Sequence, residues 1–299
     1  MSFFKIKGAI PPMITPFSKE GSVDYEAHIH NMKLWNQEDL AGYLVLGSNS
    51  EAAYLNEDEK LELIRTTAKY AAKGRIIMVG TGLESTRETI KLTNKAAQAG
   101  AHCALLLTPS YYGDQMGDQA QLQYFTDVAD ESEIPILIYN VTKYTHINIS
   151  PRVVGELSRH KNIIGMKDSS GNIPQLIQFK KVVDHSQFNL MVGTASAWYP
   201  ALDLGVQAGV MALANCAPRE CVEIQKLYDK GQRNDARELY ERVFPVNHAL
   251  TASYGVAGLK YACDLLGFKG GYVRKPLLEL SSDNKEAIRK IIVEADLLG

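Results

Sequence analysis

No cysteine pair in this chain has metal-binding or redox spacing. Cys103, Cys216, Cys221 and Cys263 form no C-x-x-C, so buried free thiols are expected rather than a metal ribbon or a disulfide framework. The seven histidines are dispersed, and His28 and His30, two residues apart, diverge on a helix and make a poor metal pair. No apolar stretch is long enough to cross a bilayer. Met1-Ser2-Phe3-Phe4-Lys5 has neither a signal-peptide core nor an Arg/Ser-rich transit composition, so a cytoplasmic protein is expected. Charge of one sign is also missing. The 32 basic and 34 acidic residues leave a formal net charge of -2, and the basic ones are scattered, which gives nucleic acid or an anionic membrane no handle. Walker loops, H-E-x-x-H pairs and G-x-S-x-G elbows are absent. Gly80-Thr81-Gly82 is the one candidate dinucleotide loop, but Ser85 stands where its third glycine belongs and no acidic residue follows at the required distance.

What is present is a rhythm. Eight short apolar runs recur at Gly8–Met13, Gly42–Leu46, Ile76–Gly80, Cys103–Leu107, Ile136–Tyr139, Ile163–Lys167, Leu190–Val192 and Gly209–Leu213. Helical patterns fill the gaps. Asp24 caps one running to Glu38, and Asn56 with Glu59 makes a capping box. Ser85 opens a helix that closes at Gly100, and Ser150-Pro151 opens another with proline in its favoured first position. Strands alternating with helices pair in parallel, and eight such units in 299 residues match a (β/α)8 TIM barrel of α/β class. Further helical segments near 218–229, 233–249, 252–266 and 283–297 exceed what a barrel needs. The expected organisation is a barrel over 1–225 and a C-terminal helical extension over 226–299.

Function in such a barrel resides at the C-terminal strand ends. Here those positions carry Thr15, Ser48-Asn49, Thr81, Thr108, Tyr139-Asn140, Lys167, Gly193-Thr194 and Asn215. They supply one amine, one phenol and several hydroxyl and amide groups, with no convergent His, Asp and Glu, which argues against a metal-dependent enzyme. Lys167 closes the run Ile163-Ile164-Gly165-Met166. Alternation puts Ile163, Gly165 and Lys167 on one face, with Gly165 leaving room for a ligand below the amine. Burial is one route by which a lysine becomes a nucleophile toward carbonyls. Position alone is equally compatible with a solvated or salt-bridged lysine.

Gly47-Ser48-Asn49-Ser50-Glu51, Thr108-Pro109-Ser110-Tyr111-Tyr112, Tyr139-Asn140-Val141 and Gly165-Met166-Lys167-Asp168-Ser169-Ser170-Gly171 together resemble the motifs of the dihydrodipicolinate synthase/N-acetylneuraminate lyase family. The resemblance runs in order from about Lys7 through the C-terminal helices. It implies a barrel with a helical extension, assembled as a homotetramer of two tight dimers. It also implies an imine between Lys167 and pyruvate or another 2-oxo acid, with an aldehyde as second substrate and no added cofactor or metal. Among the catalytic residues implied, Tyr139 shuttles protons, Ser48 continues the relay and Tyr111 reaches a neighbour's site across the tight-dimer interface. The implied substrate-binding set is Gly47, Asn49, Ser50, Ser169, Gly193 and Met211. Loop capping by Ser48 and Asn49, a plugging role for Tyr139 and interface packing by Tyr111 are the plain structural alternatives.

The chain also departs from the family pattern. Ser50 stands where the family usually has glycine, and it is expected to be strained if the turn needs positive φ. Tyr144 takes the place of an arginine that holds the second substrate in the lysine-pathway synthases, and Thr142 replaces a proline. Gly193-Thr194-Ala195-Ser196 lacks the acidic residues of the sialate lyases. Lys143 and Arg274 are expected to be solvated surface cations, with binding of an acidic substrate tail as the alternative. Gly47-Ser48-Asn49, Lys167-Asp168-Ser169 and Ala212-Leu213-Ala214-Asn215 resemble more closely the aldolases of 4-hydroxy-2-oxoglutarate and 2-keto-3-deoxy sugar acids. A 4-hydroxy-tetrahydrodipicolinate synthase using pyruvate and aspartate semialdehyde, a 2-keto-3-deoxy acid dehydratase and a non-catalytic 2-oxo-acid binder are the alternatives.

Overall fold

The computed structural model describes residues 4–298. Met1–Phe3, where the absence of a leader was read, and Gly299 lie outside them. Eight strands follow in chain order: β1 (Gly8–Ile10), β2 (Gly42–Val45), β3 (Ile76–Gly80), β4 (Cys103–Leu107), β5 (Ile136–Asn140), β6 (Ile163–Asp168), β7 (Asn189–Val192) and β8 (Ala208–Val210). All pair in parallel, in the order β1-β8-β7-β6-β5-β4-β3-β2. The ring closes where the Leu44 N–H donates to Pro11 O (3.0 Å) and the Met13 N–H to Leu44 O (2.9 Å). This is the expected (β/α)8 barrel.

The first and last runs are shorter as strands than as patterns. β1 stops at Ile10 because Pro11 and Pro12 have no N–H to give a ladder. After β8 the chain turns into a 3-10 segment, Ala212–Asn215. The Asn215 side chain takes over the missing ladder, accepting from the Ile14 N–H (3.0 Å) and donating to Pro12 O (3.0 Å). Asn215, at a strand end and so a candidate for chemistry, is a clamp.

Between the strands run α1 (Tyr25–Trp35), α2 (Glu57–Tyr70), α3 (Thr86–Gln98), α4 (Asp118–Glu131), the single turn α5 (Thr142–Thr145), α6 (Pro151–Leu157), α7 (Ile173–Val182) and α8 (Trp198–Asp203). Their starts are where side-chain capping places them: Asp24, Asn56 with Glu59, Ser85 and Ser150 each accept from the third N–H of the helix that follows. Then come α9 (Pro218–Asp229), α10 (Arg233–His248), α11 (Gly255–Leu265) and α12 (Ser282–Glu294). Pro245 lies inside α10, and a π-helical turn, Ala249–Ser253, follows it. No helix among the described residues is long and apolar enough to cross a membrane.

Two apolar layers fill the molecule. A small one inside the barrel includes Ile10, Leu44, Met78, Leu105, Leu137 and Met191, and a larger one lies between strands and helices. On β6 the simple alternation fails. Ile136 pairs with Ile163 but Leu137 pairs with Gly165, so one extra residue is inserted. Ile163 therefore packs outward, and Ile164 joins Gly165 and Lys167 on the interior side. Nor does Gly165 leave a void for a ligand. A Cβ there would collide with the Asn189 backbone oxygen and lie 3.1 Å from Leu137 Cδ2. Its missing side chain lets β7 and Leu137 close in beneath the amine.

His28, buried on α1, bonds Thr67 Oγ1 through Nε2 (3.0 Å), while its Nδ1 has no partner. Burial lowers its pKa to about 4. The folded pKa lies below the unfolded one, so the unfolded chain takes up a proton first as pH falls. Stability is therefore unaffected above about pH 6.5 and falls toward pH 4, by on the order of 3 kcal/mol. His28→Leu is expected to flatten the loss of Tm between pH 6.5 and 4, and an unchanged slope would show that another group sets it.

Candidate active site

Two neighbouring strands bring the chemistry together. Tyr139 on β5 and Lys167 on β6 are paired in register, so adjacent interior positions carry a phenol and an amine. Lys167 is only 3% exposed, and its Nζ lies 4.2 Å from the centroid of the Tyr139 ring. Burial pushes the Tyr139 phenol up, but the Lys167 charge and hydrogen bonding with Ser169, Ser48 and Lys167 outweigh it, leaving the pKa below its ordinary value. Gly193, at the end of β7, is a positional requirement. A Cβ there would collide with Ser169 Oγ and come within 2.9 Å of Lys167 Cε. Behind Lys167, Asp168 accepts from Asn140 Nδ2 (2.8 Å) and Ser170 Oγ (2.6 Å). Burial raises its pKa and these bonds lower it, with burial prevailing. Asn140 also accepts from the Ile149 N–H (3.1 Å), so it is a brace for the β5 and β6 ends.

Opposite, Ser48–Ser50 forms a 3-10 turn. Its hydrogen bonds begin with the Ser50 N–H, given to Gly47 O at 3.0 Å, so the N–H groups of Ser48 and Asn49 stand at its open end. The strain expected at Ser50 is not there. Ser50 is helical in conformation and buried, with its hydroxyl donating to Met13 O (2.5 Å). The left-handed residues are its flanks, Leu46 (φ 60°) and Glu51 (φ 54°).

These groups border a cavity of about 620 Å3 at the C-terminal strand ends. Ser48, Asn49, Tyr139, Lys167, Ser169 and Gly193 all line it. Gly47 and Ser50 do not; they support the turn from behind. Met211, expected at the ligand, is fully buried between strands and helices, with its thioether folded against Gly209, and Ala212 lines the cavity in its place. Tyr111 is 79% exposed, stacked edge-on with Tyr112, and contributes nothing to the cavity of its own chain.

Of the two cations expected at the surface, Lys143 is exposed and Arg274 is largely withdrawn. It grips Glu59 (2.6 and 2.8 Å), Tyr54 O and Gly21 O, and its guanidinium lies 4.3 Å from the Phe17 ring centroid. Lys143 is at the cavity, and its Nζ donates to Thr251 O across the mouth (2.7 Å). The lip that receives it is the π-helical turn, which supplies Leu250, Thr251 and Ala252, with Gly255 and Val256 of α11 beyond. Pro245 is the sequence signal for this irregularity, because a proline inside a helix frees a carbonyl and disturbs the ladder around it. Among the lining residues Lys143 and Lys167 are the cations, and no Asp or Glu joins them. Among the described residues no cluster of His, Cys, Asp and Glu is arranged to hold a metal ion.

A family model described as the dihydrodipicolinate synthetase family matches residues 5–295. A 4-hydroxy-tetrahydrodipicolinate synthase of Methanothrix thermoacetophila is 32% identical over 98% of both chains. The crystal structure of the dihydrodipicolinate synthase from Aquifex aeolicus superposes with a TM-score of 0.91 at 30% identity, covering 98% of this chain and 99% of that one. A chloride-inhibited dihydrodipicolinate synthase of Acinetobacter baumannii, solved with pyruvate, gives 0.91 at 26% identity over 98% and 99% of the two chains. Fold and relatives agree: the chain is an aldolase-type enzyme and belongs to the dihydrodipicolinate synthetase family.

Proposed function

We propose that Lys167 forms an imine with pyruvate and that the resulting enamine adds to an aldehyde bearing an anionic group, as in a 4-hydroxy-tetrahydrodipicolinate synthase. The observation that carries the imine is the buried Lys167 amine beside the Tyr139 phenol at the floor of a cavity open to small molecules. The lysine nitrogen attacks the keto carbon, and Tyr139 hands a proton to the carbinolamine oxygen, which leaves as water. Loss of a proton from the methyl carbon gives the enamine. The 2-oxo acid carboxylate sits at the open end of the Ser48–Ser50 turn, where Asn49 and two N–H groups give charge-assisted bonds. Ser48 and Ser169 hold the phenol in the relay. No added cofactor enters this scheme.

The anionic aldehyde follows from a cavity lined by two ammonium groups and no carboxylate. One amine is consumed by the keto group, leaving Lys143 for a second charge. Tyr144 holds the place of the arginine that the synthases use, and Lys143 beside it supplies the cation. The names of the relatives favour aspartate semialdehyde as the partner, ahead of the aldolase branch suggested by the motifs. Cleavage of 4-hydroxy-2-oxoglutarate is the second reading. It also yields an anionic aldehyde, and Thr142 and Tyr144 favour it. Tyr111, exposed and outside its own cavity, is assigned to the cavity of a second copy in a dimer of dimers, as the resemblance implies.

Borohydride reduction in the presence of pyruvate is expected to label Lys167, and Lys167→Ala is expected to abolish turnover while the protein stays folded. An unlabelled protein would leave a 2-oxo-acid binder. Condensation with aspartate semialdehyde supports the synthase, whereas pyruvate release from 4-hydroxy-2-oxoglutarate alone transfers the assignment to the aldolase. Tyr139→Phe is expected to lower kcat by roughly 10²-fold or more with a much smaller change in KM for pyruvate; equal losses in both would remove its proton-transfer role. Lys143→Met is expected to raise KM for an anionic aldehyde by about 10-fold or more, the worth of one charge-assisted bond, and to leave KM for pyruvate unchanged. A variant with unaltered aldehyde KM would place the second charge elsewhere.

A further inference from the structure

We infer that the buried Glu51–Lys260 ion pair is a positioning device through which the helical extension sets the geometry of the oxo-acid carboxylate turn. The inference rests on the assignment of that turn to the pyruvate carboxylate.

Glu51 closes the turn that carries Ser48 and Asn49, and it does so in a left-handed conformation (φ 54°, ψ 36°) that ordinary residues avoid. Leu46, just before the turn, is left-handed as well. A turn strained at both flanks persists only where its surroundings over-determine it. On the barrel side the restraint is the Ser50 hydroxyl on Met13 O. On the other side it is the Glu51 carboxylate. One oxygen lies 2.5 Å from Lys260 Nζ, a charge contact outside hydrogen-bond geometry, and the other accepts from the Arg274 backbone N–H at 2.8 Å. Their side chains are 1% and 2% exposed, so this pair is withdrawn from solvent. Lys260 is itself fixed, donating to Tyr272 O (2.6 Å) and lying 4.5 Å from the Phe17 ring centroid.

A buried ion pair is a poor way to gain stability, since apolar residues of the same volume do as well or better. Its distinctive property is placement, because a carboxylate withdrawn from water is held beside its ammonium and the Arg274 backbone N–H. Lys260 lies on α11, one turn after Val256, which lines the cavity mouth. A single helix therefore touches the far end of the substrate cavity and holds the residue that ends the carboxylate turn.

The test is a pair of variants in the full-length protein, Lys260→Met alone and Glu51→Gln/Lys260→Met together. The single variant leaves a buried carboxylate unpaired and risks unfolding; the double variant leaves no charge behind, so it keeps the fold accessible to measurement. Pyruvate dependence of borohydride trapping at Lys167 reports on the turn directly. The folded double variant is expected to need at least about 10-fold more pyruvate for half-maximal trapping, with kcat at saturating pyruvate within about threefold of the parent. A merely structural pair would lower Tm without that split. Half-saturation at the parent pyruvate concentration, or kcat and KM falling together, overturns the inference. Parent protein that traps no pyruvate overturns instead the assignment on which it rests.

Discussion

The contact between the Lys167 ammonium and the Tyr139 ring is the constraint around which the barrel end is organised. An amine with 3% exposure needs partners that replace water, and an adjacent phenol supplies both a π face and an ionisable oxygen. The same proximity works in reverse, since the cation is what offsets the effect of burial on the phenol. Register makes the pair possible. The extra residue inserted on β6 opposite Ile136 and Leu137 brings Lys167 level with Tyr139. Gly193 then keeps the space beside the lysine clear, and Gly165 lets β7 approach beneath it. The two glycines do opposite work, one opening the site and the other sealing its floor.

Much of this was legible in the chain itself. The strand–helix rhythm, the caps at Asp24, Asn56, Ser85 and Ser150, and the motifs around Lys167 and Tyr139 are local patterns, and local patterns survive folding when tertiary contacts agree with them. What was not legible depends on contacts between segments far apart. Alternation placed Ile163 inside, but a bulge is a property of two strands together and cannot be seen in one. Ser50 looked strained because a glycine is usual there, whereas the left-handed residues are its neighbours Leu46 and Glu51. Lys143 is exposed as expected but tied down, while Arg274 looked like a surface cation and is not one. Their partners, Thr251 and Glu59, lie more than a hundred residues away in sequence, and no periodicity announces them. Met211 had the right position in the chain and the wrong direction.

The extension is part of the site rather than an appendage. Its π-helical turn shapes the lip, α11 supplies Gly255 and Val256 to the wall, and Lys260 reaches the end of the turn after β2. Arg274 ties the segment beyond α11 to α2 and to the backbone at Gly21 and Tyr54. The barrel supplies the buried amine and phenol at the floor of the cavity, while the C-terminal helices form part of its mouth.

The fastening of Lys143 to the Thr251 carbonyl has a consequence for selectivity. The ammonium has three N–H groups and the carbonyl takes one, so the contact can persist while the other two remain for a guest. What the contact supplies is aim: a long, flexible side chain is held in one orientation at the rim before anything arrives. A full negative charge gains most from such a rim, because an ionic partner strengthens the bond roughly twofold over a neutral one.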